Sequence, residues 1–246
     1  MQEDRLKNEI EHGKKIAQNA EEVWNWESGA GKVRADKRAL HIAKALGLKQ
    51  EDKVLEIGCG TGLFTHKIHE ISGNNNIVAT DLSPDLIEVA REKYPQLNFE
   101  VADAMNINYD DASFDAVFGN SIIHHLDFSS FLVEMTRVLK PGGKMCFAEP
   151  NMLNPQIFIQ KNVPFIKKWL GDSPDETAIN RFTFKKYLES NGYKNVEIFP
   201  FDFLHPAIPK PLIGLINGIS NLADKTPLLK EIAGSVLILA VKELNP

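Results

Sequence analysis

Short apolar runs punctuate the middle of this chain, at 54–57, 77–80, 97–101, 114–118 and 144–149, most of them closed by Gly, Asn, Asp or Pro. Between them, apolar residues return every third or fourth position. The runs predict strands, and the intervening segments predict helices over 63–71, 85–93 and 128–139. Ser83-Pro84-Asp85 supplies a helix cap with a first-turn proline. Lys140-Pro141-Gly142-Gly143 stops the third helix before its strand. Ahead of this core, Leu6, Ile10, Ile16, Ala20 and Val23 fall at approximate helical spacing among many charges, and a break at 24–31 carries Trp24 and Trp26. A second helix is expected over 33–46, rich in Arg34, Lys37 and Arg38. After Pro150 the pattern loosens. An apolar excursion fills 151–180, a helix is expected over 182–191 and a strand over 196–203. A second excursion over 204–234 has Pro206, Pro209 and Pro211 followed by the amphipathic set Leu212, Ile213, Leu215, Ile216, Ile219 and Leu222. The last strand is expected over 235–241.

At 246 residues with 43% hydrophobic content the chain can bury one substantial core, so a single α/β domain is expected. The formal charge of -5 disfavours a nucleic-acid partner held through its phosphates. It is unevenly spread, -8 over 1–139 and +3 over 140–246, which fits either a solvated surface or an anionic substrate. Cys59 and Cys146 are the only cysteines, one in a glycine-rich loop and one in an expected strand. They suggest neither a disulfide framework nor a metal cluster, and a reducing cytoplasm fits. Residues 1–20 lack the apolar core of a signal peptide, and no apolar run approaches the roughly 20 residues of a membrane span, so no stable membrane insertion is expected.

The first strand runs straight into Gly58-Cys59-Gly60-Thr61-Gly62, with Glu56 two places before the first glycine and a helix beginning at about Leu63. Such a loop lets backbone approach a ligand closely, and the helix start offers unpaired N–H groups. A dinucleotide fingerprint would be G-x-G-x-x-G, and a P-loop would need Gly-Lys-Ser/Thr. Neither is present. An acid closing the second strand a little over 20 residues beyond the glycines is where nucleoside-binding α/β folds hold both ribose hydroxyls, which nominates Asp81.

Glu56-Ile57-Gly58-Cys59-Gly60-Thr61-Gly62 resembles motif I of the class I S-adenosylmethionine-dependent methyltransferases. Arg137-Val138-Leu139-Lys140-Pro141-Gly142-Gly143 resembles the turn before that family's fifth strand, in a small-molecule branch similar to methyltransferase types 11 and 12. The resemblance covers 50–150 well, the last two strands moderately and the excursions hardly at all. It implies a Rossmann-like seven-stranded, mostly parallel sheet with an antiparallel last strand, helices on both faces and helical cap elements. It implies one domain over 1–246, with 1–48 as a cap, 49–150 as the cofactor core, and 151–180 and 204–234 as substrate-side insertions. The implied cofactor is S-adenosyl-L-methionine. Around it the resemblance places Gly58, Cys59, Gly60 and Gly62 for backbone approach and Glu56 for polar support of the loop and cofactor amine. Asp81 goes to the ribose, Asp103 to the adenine and Asn120 to the methionine end, with Leu82 and Ala104 also counted as cofactor-binding. Segments before the first strand fold over the site in such enzymes, so Trp24, Trp26, Arg34 and Arg38 are candidates to close it, with an arginine, Arg34 first, on the cofactor carboxylate. The alternative is that the tryptophans staple the helix to the core and the arginines are solvated.

Asn120-Ser121 at the end of the fourth strand lacks the Asn/Asp-Pro-Pro-aromatic signature of base and glutamine amino methylation. His124 and His125 follow. His125 either orients its loop or takes a proton from an acceptor. No third ligand stands at a recognisable spacing, so no metal site is expected. The excursions suggest a lid or pocket wall for an apolar or amphiphilic small molecule. Core helices and a homodimer interface compete with that reading, as does a loose membrane-surface contact with Lys161, Lys167, Lys168 and Lys210 nearby. Two rivals to methyl transfer are a protein that binds the cofactor without using it and a nicotinamide-dependent oxidoreductase.

Overall fold

The computed structural model describes residues 2–170 and 176–244. Residues 171–175 of the first excursion lie outside that description. The chain begins with α1 (Gln2–Ile16) and the short α2 (Ala20–Val23), then α3 (Gly29–Leu46) and β1 (Val54–Ile57). Next come α4 (Leu63–Ser72), β2 (Ile77–Asp81), α5 (Pro84–Lys93), β3 (Asn98–Val101), β4 (Phe114–Asn120), α6 (Phe128–Val138) and β5 (Leu139–Pro150). The second half holds α7 (Pro155–Asn162), α8 (Pro164–Leu170), α9 (Arg181–Glu189), β6 (Tyr193–Phe201), α10 (Ile213–Ala223) and β7 (Ser235–Lys242).

One seven-stranded sheet runs β3-β2-β1-β4-β5-β7-β6. β1 to β5 are parallel, and β7 is antiparallel to both of its neighbours, as the resemblance implies. Strand order reverses between β1 and β4, whose carboxyl ends are in register through Ile57 and Gly119. That reversal opens the crevice where α/β folds bind ligands.

β1 is buried on both faces because it lies at the sheet's centre, and its alternation decides what each face receives. Leu55 and Ile57 pack with Phe131 and Met135 of α6 and Leu188 of α9, whereas Val54 packs with Ile42 of α3 and Phe64 and Ile68 of α4. Glu56 shares Val54's face and Glu149, in step with Met145 and Phe147, shares that of Leu55. Two buried carboxylates therefore sit on opposite sides of one sheet.

Three boundaries differ from expectation by three residues or more. α3 starts at Gly29 rather than 33, because the Ser28 hydroxyl accepts from the Gly31 N–H at 2.9 Å and caps the helix earlier. The Lys140–Gly143 turn lies within β5, where the pairing with β4 skips from Leu139 to Lys144. β6 begins at Tyr193 rather than 196, with a shift in its pairing to β7 between Lys194 and Glu197.

Candidate active site

A cavity of about 640 Å³ opens at the carboxyl ends of the central strands, within the size range that holds a small organic ligand. Its wall at the β1 end is the glycine loop. Gly58, Gly60 and Gly62 all have positive φ (68°, 54° and 81°), the left-handed region that side chains disfavour. A Cβ on Gly58 would lie 2.6 Å from Ile122, and one on Gly60 2.8 Å from the Trp24 ring. Gly58, Cys59 and Gly60 line the cavity; Gly62 stands behind it, against Phe99 and Tyr94. Cys59 is buried with its thiol pKa pushed up by burial and then by Asp81 and Glu56, so it is an inert thiol.

Asp81 closes β2 at the cavity wall. One carboxylate oxygen accepts from the Gly60 N–H and the other from the Ser83 N–H, both at 2.9 Å. Each oxygen keeps a lone pair for a further donor. Burial raises the Asp81 pKa against these backbone donors. Leu82, Asp103 and Ala104 continue the same wall. One Asp103 oxygen accepts from the Met105 N–H at 3.0 Å.

Glu56 does not reach the cavity surface. Its alternation sends it to the α4 face, where its carboxyl accepts from the Thr65 hydroxyl. Burial pushes its pKa up to about 8, because one hydroxyl is a small return for a desolvated carboxylate. The expected support of the loop fits this placement, while contact with a cofactor amine does not follow from it.

The N-terminal segment folds over the loop. Glu21 accepts from the Thr61 hydroxyl at 2.9 Å, and Ile16, Trp24 and Trp26 line the cavity. Trp26 meets Phe64 edge to face and lies 5.5 and 5.4 Å from the Arg34 and Arg38 guanidinium carbons. Stapling and site-lining are thus combined in these residues. The arginines are not solvated. Arg34 Nε donates to Asp202 at 2.8 Å. Arg38 is buried and donates to Asn120 Oδ1 at 2.9 Å and to the Ser235 hydroxyl, leaving its Nε without a hydrogen bond. Burial first, and Arg34 second, lower the Arg38 pKa to about 10, so it stays charged at neutral pH. Two non-glycine residues with positive φ, Ser121 (56°) and Asp202 (74°), flank this network, the kind of strain that a surrounding scaffold holds at functional sites.

At the β4 end, the tip of β5 supplies a partner that sequence spacing did not reveal. Glu149 is fully buried, and accepts from the Ile122 and Ile123 N–H groups at 2.9 Å and from His124 Nδ1 at 2.7 Å. Burial alone would raise its pKa, but these donors hold it below the usual carboxylate range. The signal was present: like Glu56, Glu149 is an acid in an otherwise apolar strand.

His125 stands beside His124, with ring centroids 4.2 Å apart. Its Nδ1 is buried without a hydrogen bond, and burial, then His124, push its pKa down to about 4. A third group also approaches. Glu176 lies 3.7 Å from His124 Nε2 and 4.0 Å from His125 Nδ1. It is placed by a bridge between Ile179 and Asn151 beyond β5 and by the Thr177 N–H on the His124 carbonyl. His124, His125 and Glu176 present ligand atoms within 4.8 Å of one another, a grouping of residues about 50 positions apart that no local spacing announces. The carboxylate is already paired with the Lys161 ammonium, and Lys167 donates to the Glu176 carbonyl at 2.6 Å. Both lysines are therefore turned inward, away from the membrane-surface contact that was the competing reading.

A family model described as a methyltransferase domain matches residues 55–147. The demethylmenaquinone methyltransferase of Chlorobaculum tepidum is 31% identical over 182 residues, 67% of this chain and 75% of that protein. Among solved structures, the putative methyltransferase complexed with the Haloferax volcanii Trm112 activator superposes with a TM-score of 0.70 at 19% identity, covering 94% of this chain and 97% of that one. Phosphoethanolamine N-methyltransferase 2 of Haemonchus contortus, solved with S-adenosyl-L-methionine, gives 0.61 at 20% identity, covering 84% and 52%. At these identities both superpositions bear on the fold.

Proposed function

We propose, from the premise that this chain belongs to the class I S-adenosylmethionine-dependent methyltransferases, that it methylates a small apolar or amphiphilic acceptor held near His125. The cavity that joins the glycine loop and Asp81 to the paired histidines carries this reading.

The residues present fit the cofactor. Backbone at Gly58 and Gly60 occupies space that a Cβ would fill, Asp81 keeps acceptor capacity for a diol, and Arg38 has an unpartnered buried Nε near Asn120. Asp81 and Leu82 would hold the ribose, Asp103 and Ala104 the adenine, and Arg34 and Asn120 the methionine end. Bound there, S-adenosylmethionine supplies an electrophilic methyl on a sulfonium, open to direct displacement. The protein's part is alignment, which can contribute about 7–11 kcal/mol. His125, neutral above pH of about 4, takes the proton of an acceptor that must lose one. Glu149 fixes the His124 ring, and with it the turn that presents His125.

The apolar acceptor is supported by Ile157 and Leu126 at the cavity's far end. The Chlorobaculum relative is named for a demethylmenaquinone, which falls in that class. We assign residues 1–48 to a cap and the two excursions to the acceptor side. Two buried free thiols fit a cytoplasmic setting; among the described residues no helix is long and apolar enough to cross a membrane. The test is transfer of radiolabelled methyl from S-adenosylmethionine into a metabolite and lipid extract. Label in amphiphilic products is expected; label confined to polar products, or to none, contradicts the acceptor assignment.

A further inference from the structure

The excursion between β6 and β7 spends only part of its apolar surface on the core. In α10, Ser220 is buried and accepts from the Phe203 N–H at 3.1 Å, and Ile213 reaches Gly29 of α3. On the other side Leu212, Leu215, Ile219 and Leu222 recur at intervals of three and four and are exposed, Leu215 by 64% and Leu222 by 69%. Past the helix the exposure continues through Leu228, at 85%, and Leu229.

The charges around this face that lack an opposite partner have one sign. Asp224 is held by Lys37 at 2.5 Å and Glu231 by Arg181 at 2.7 Å. Lys210, Lys225 and Lys230 have no acidic partner among the described residues. A self-complementary dimer through this face would gather those lysines together. A surface with hydrocarbon beneath anionic headgroups meets both the leucines and the lysines. The segment that carries this face is also tied to an element of the cavity wall. Asn154, the cap of α7, donates to the Ile232 carbonyl at 2.8 Å, and α7 supplies Ile157 and Gln160 to the cavity wall.

We propose that residues 210–232 dock this protein on an anionic lipid bilayer, setting the cavity mouth toward the membrane surface so that an acceptor dissolved in lipid enters directly. The proposal deepens the acceptor reading above and rests on it for its purpose, but the binding itself is tested without an acceptor. Phosphatidylcholine vesicles containing phosphatidylglycerol are expected to co-sediment the full chain, with binding that weakens as salt rises or phosphatidylglycerol is left out. The triple variant Leu215→Asp/Leu222→Asp/Leu228→Asp is expected to weaken binding at least about a hundredfold. Lys210→Glu/Lys225→Glu/Lys230→Glu is expected to weaken it by on the order of a hundredfold. Lys230 is half-buried and the other five substituted positions are exposed, and affinity for S-adenosylhomocysteine, titrated in parallel, stays at the wild-type value. No vesicle binding, or binding that survives the leucine substitutions, overturns the proposal. So does a wild-type dimer in light scattering that the leucine substitutions dissolve, since a second copy then covers the face. Lost vesicle binding with intact cofactor affinity separates failure of docking from failure of the methyltransferase site.

Discussion

The two ends of the cavity each rest on a buried carboxylate, and the two behave oppositely. Behind the glycine loop, Glu56 has one hydroxyl donor and its pKa rises to about 8. Behind the histidines, Glu149 has two backbone donors and an imidazole, and its pKa falls. Both are buried to about the same degree, so depth does not set their charge; the number and kind of donors does. In the proposed function the glycine loop is the cofactor end, backed by a neutral carboxyl, and the paired histidines are the acceptor end. The acceptor end keeps a fixed anion behind an imidazole.

Breaking the acceptor end should produce the largest effects. With an acceptor that the chain methylates, His125→Ala is expected to lower turnover by about 10²–10⁴-fold while S-adenosylhomocysteine affinity holds; equal losses in both would make His125 structural. Glu149→Ala leaves two N–H groups and an imidazole buried without their acceptor, and should cost about 3–5 kcal/mol in chemical denaturation. A variant as stable as the parent would contradict the network. At the cofactor end, Asp81→Ala removes a charge-assisted acceptor whose bond is worth about 1.5–3 kcal/mol, so affinity should fall on the order of tenfold or more.

The smallest effect sharpens the comparison through pH. A carboxyl whose folded pKa exceeds its ordinary value near 4.5 binds more protons folded than unfolded, so Glu56 withdraws stability as pH rises from about 4.5 to about 8. Glu56→Gln copies the protonated form and should stabilise the protein at pH 8 by on the order of 1 kcal/mol, about 2–4 °C in melting temperature. At pH 4 the gain should vanish. His125 and Glu149 act in the other direction. With folded pKa values below their ordinary ones, they withdraw stability as pH falls, His125 from about 6.5 toward about 4 and Glu149 below the carboxylate range. Melting curves across pH that move the same way in Glu56→Gln and His125→Ala would contradict the contrast.

The cofactor end was legible in the sequence because its constraints are local. Alternating glycines announce positive φ, and an acid closing the next strand announces a second contact at a fixed distance. The acceptor end was not, because its contacts join residues far apart in the chain. Glu149 reaches His124 across neighbouring strands, and Glu176 arrives by way of a loop that bridges to Asn151. Lys161 and Lys167 look like surface charges until that loop places Glu176 between them. Arg38 was nominated for the site, but its burial could not be read from a helix whose buried face also carries Ala35, Ala39 and Ile42. The second excursion showed its amphipathic pattern in sequence, though not which half of it would be left outside.

Calorimetric titration of S-adenosylhomocysteine into the wild-type chain and Asp81→Ala tests the central claim most directly. One site per wild-type chain is predicted, with affinity weakened on the order of tenfold or more in the variant. No heat in the wild type, or identical affinity in both, would contradict it.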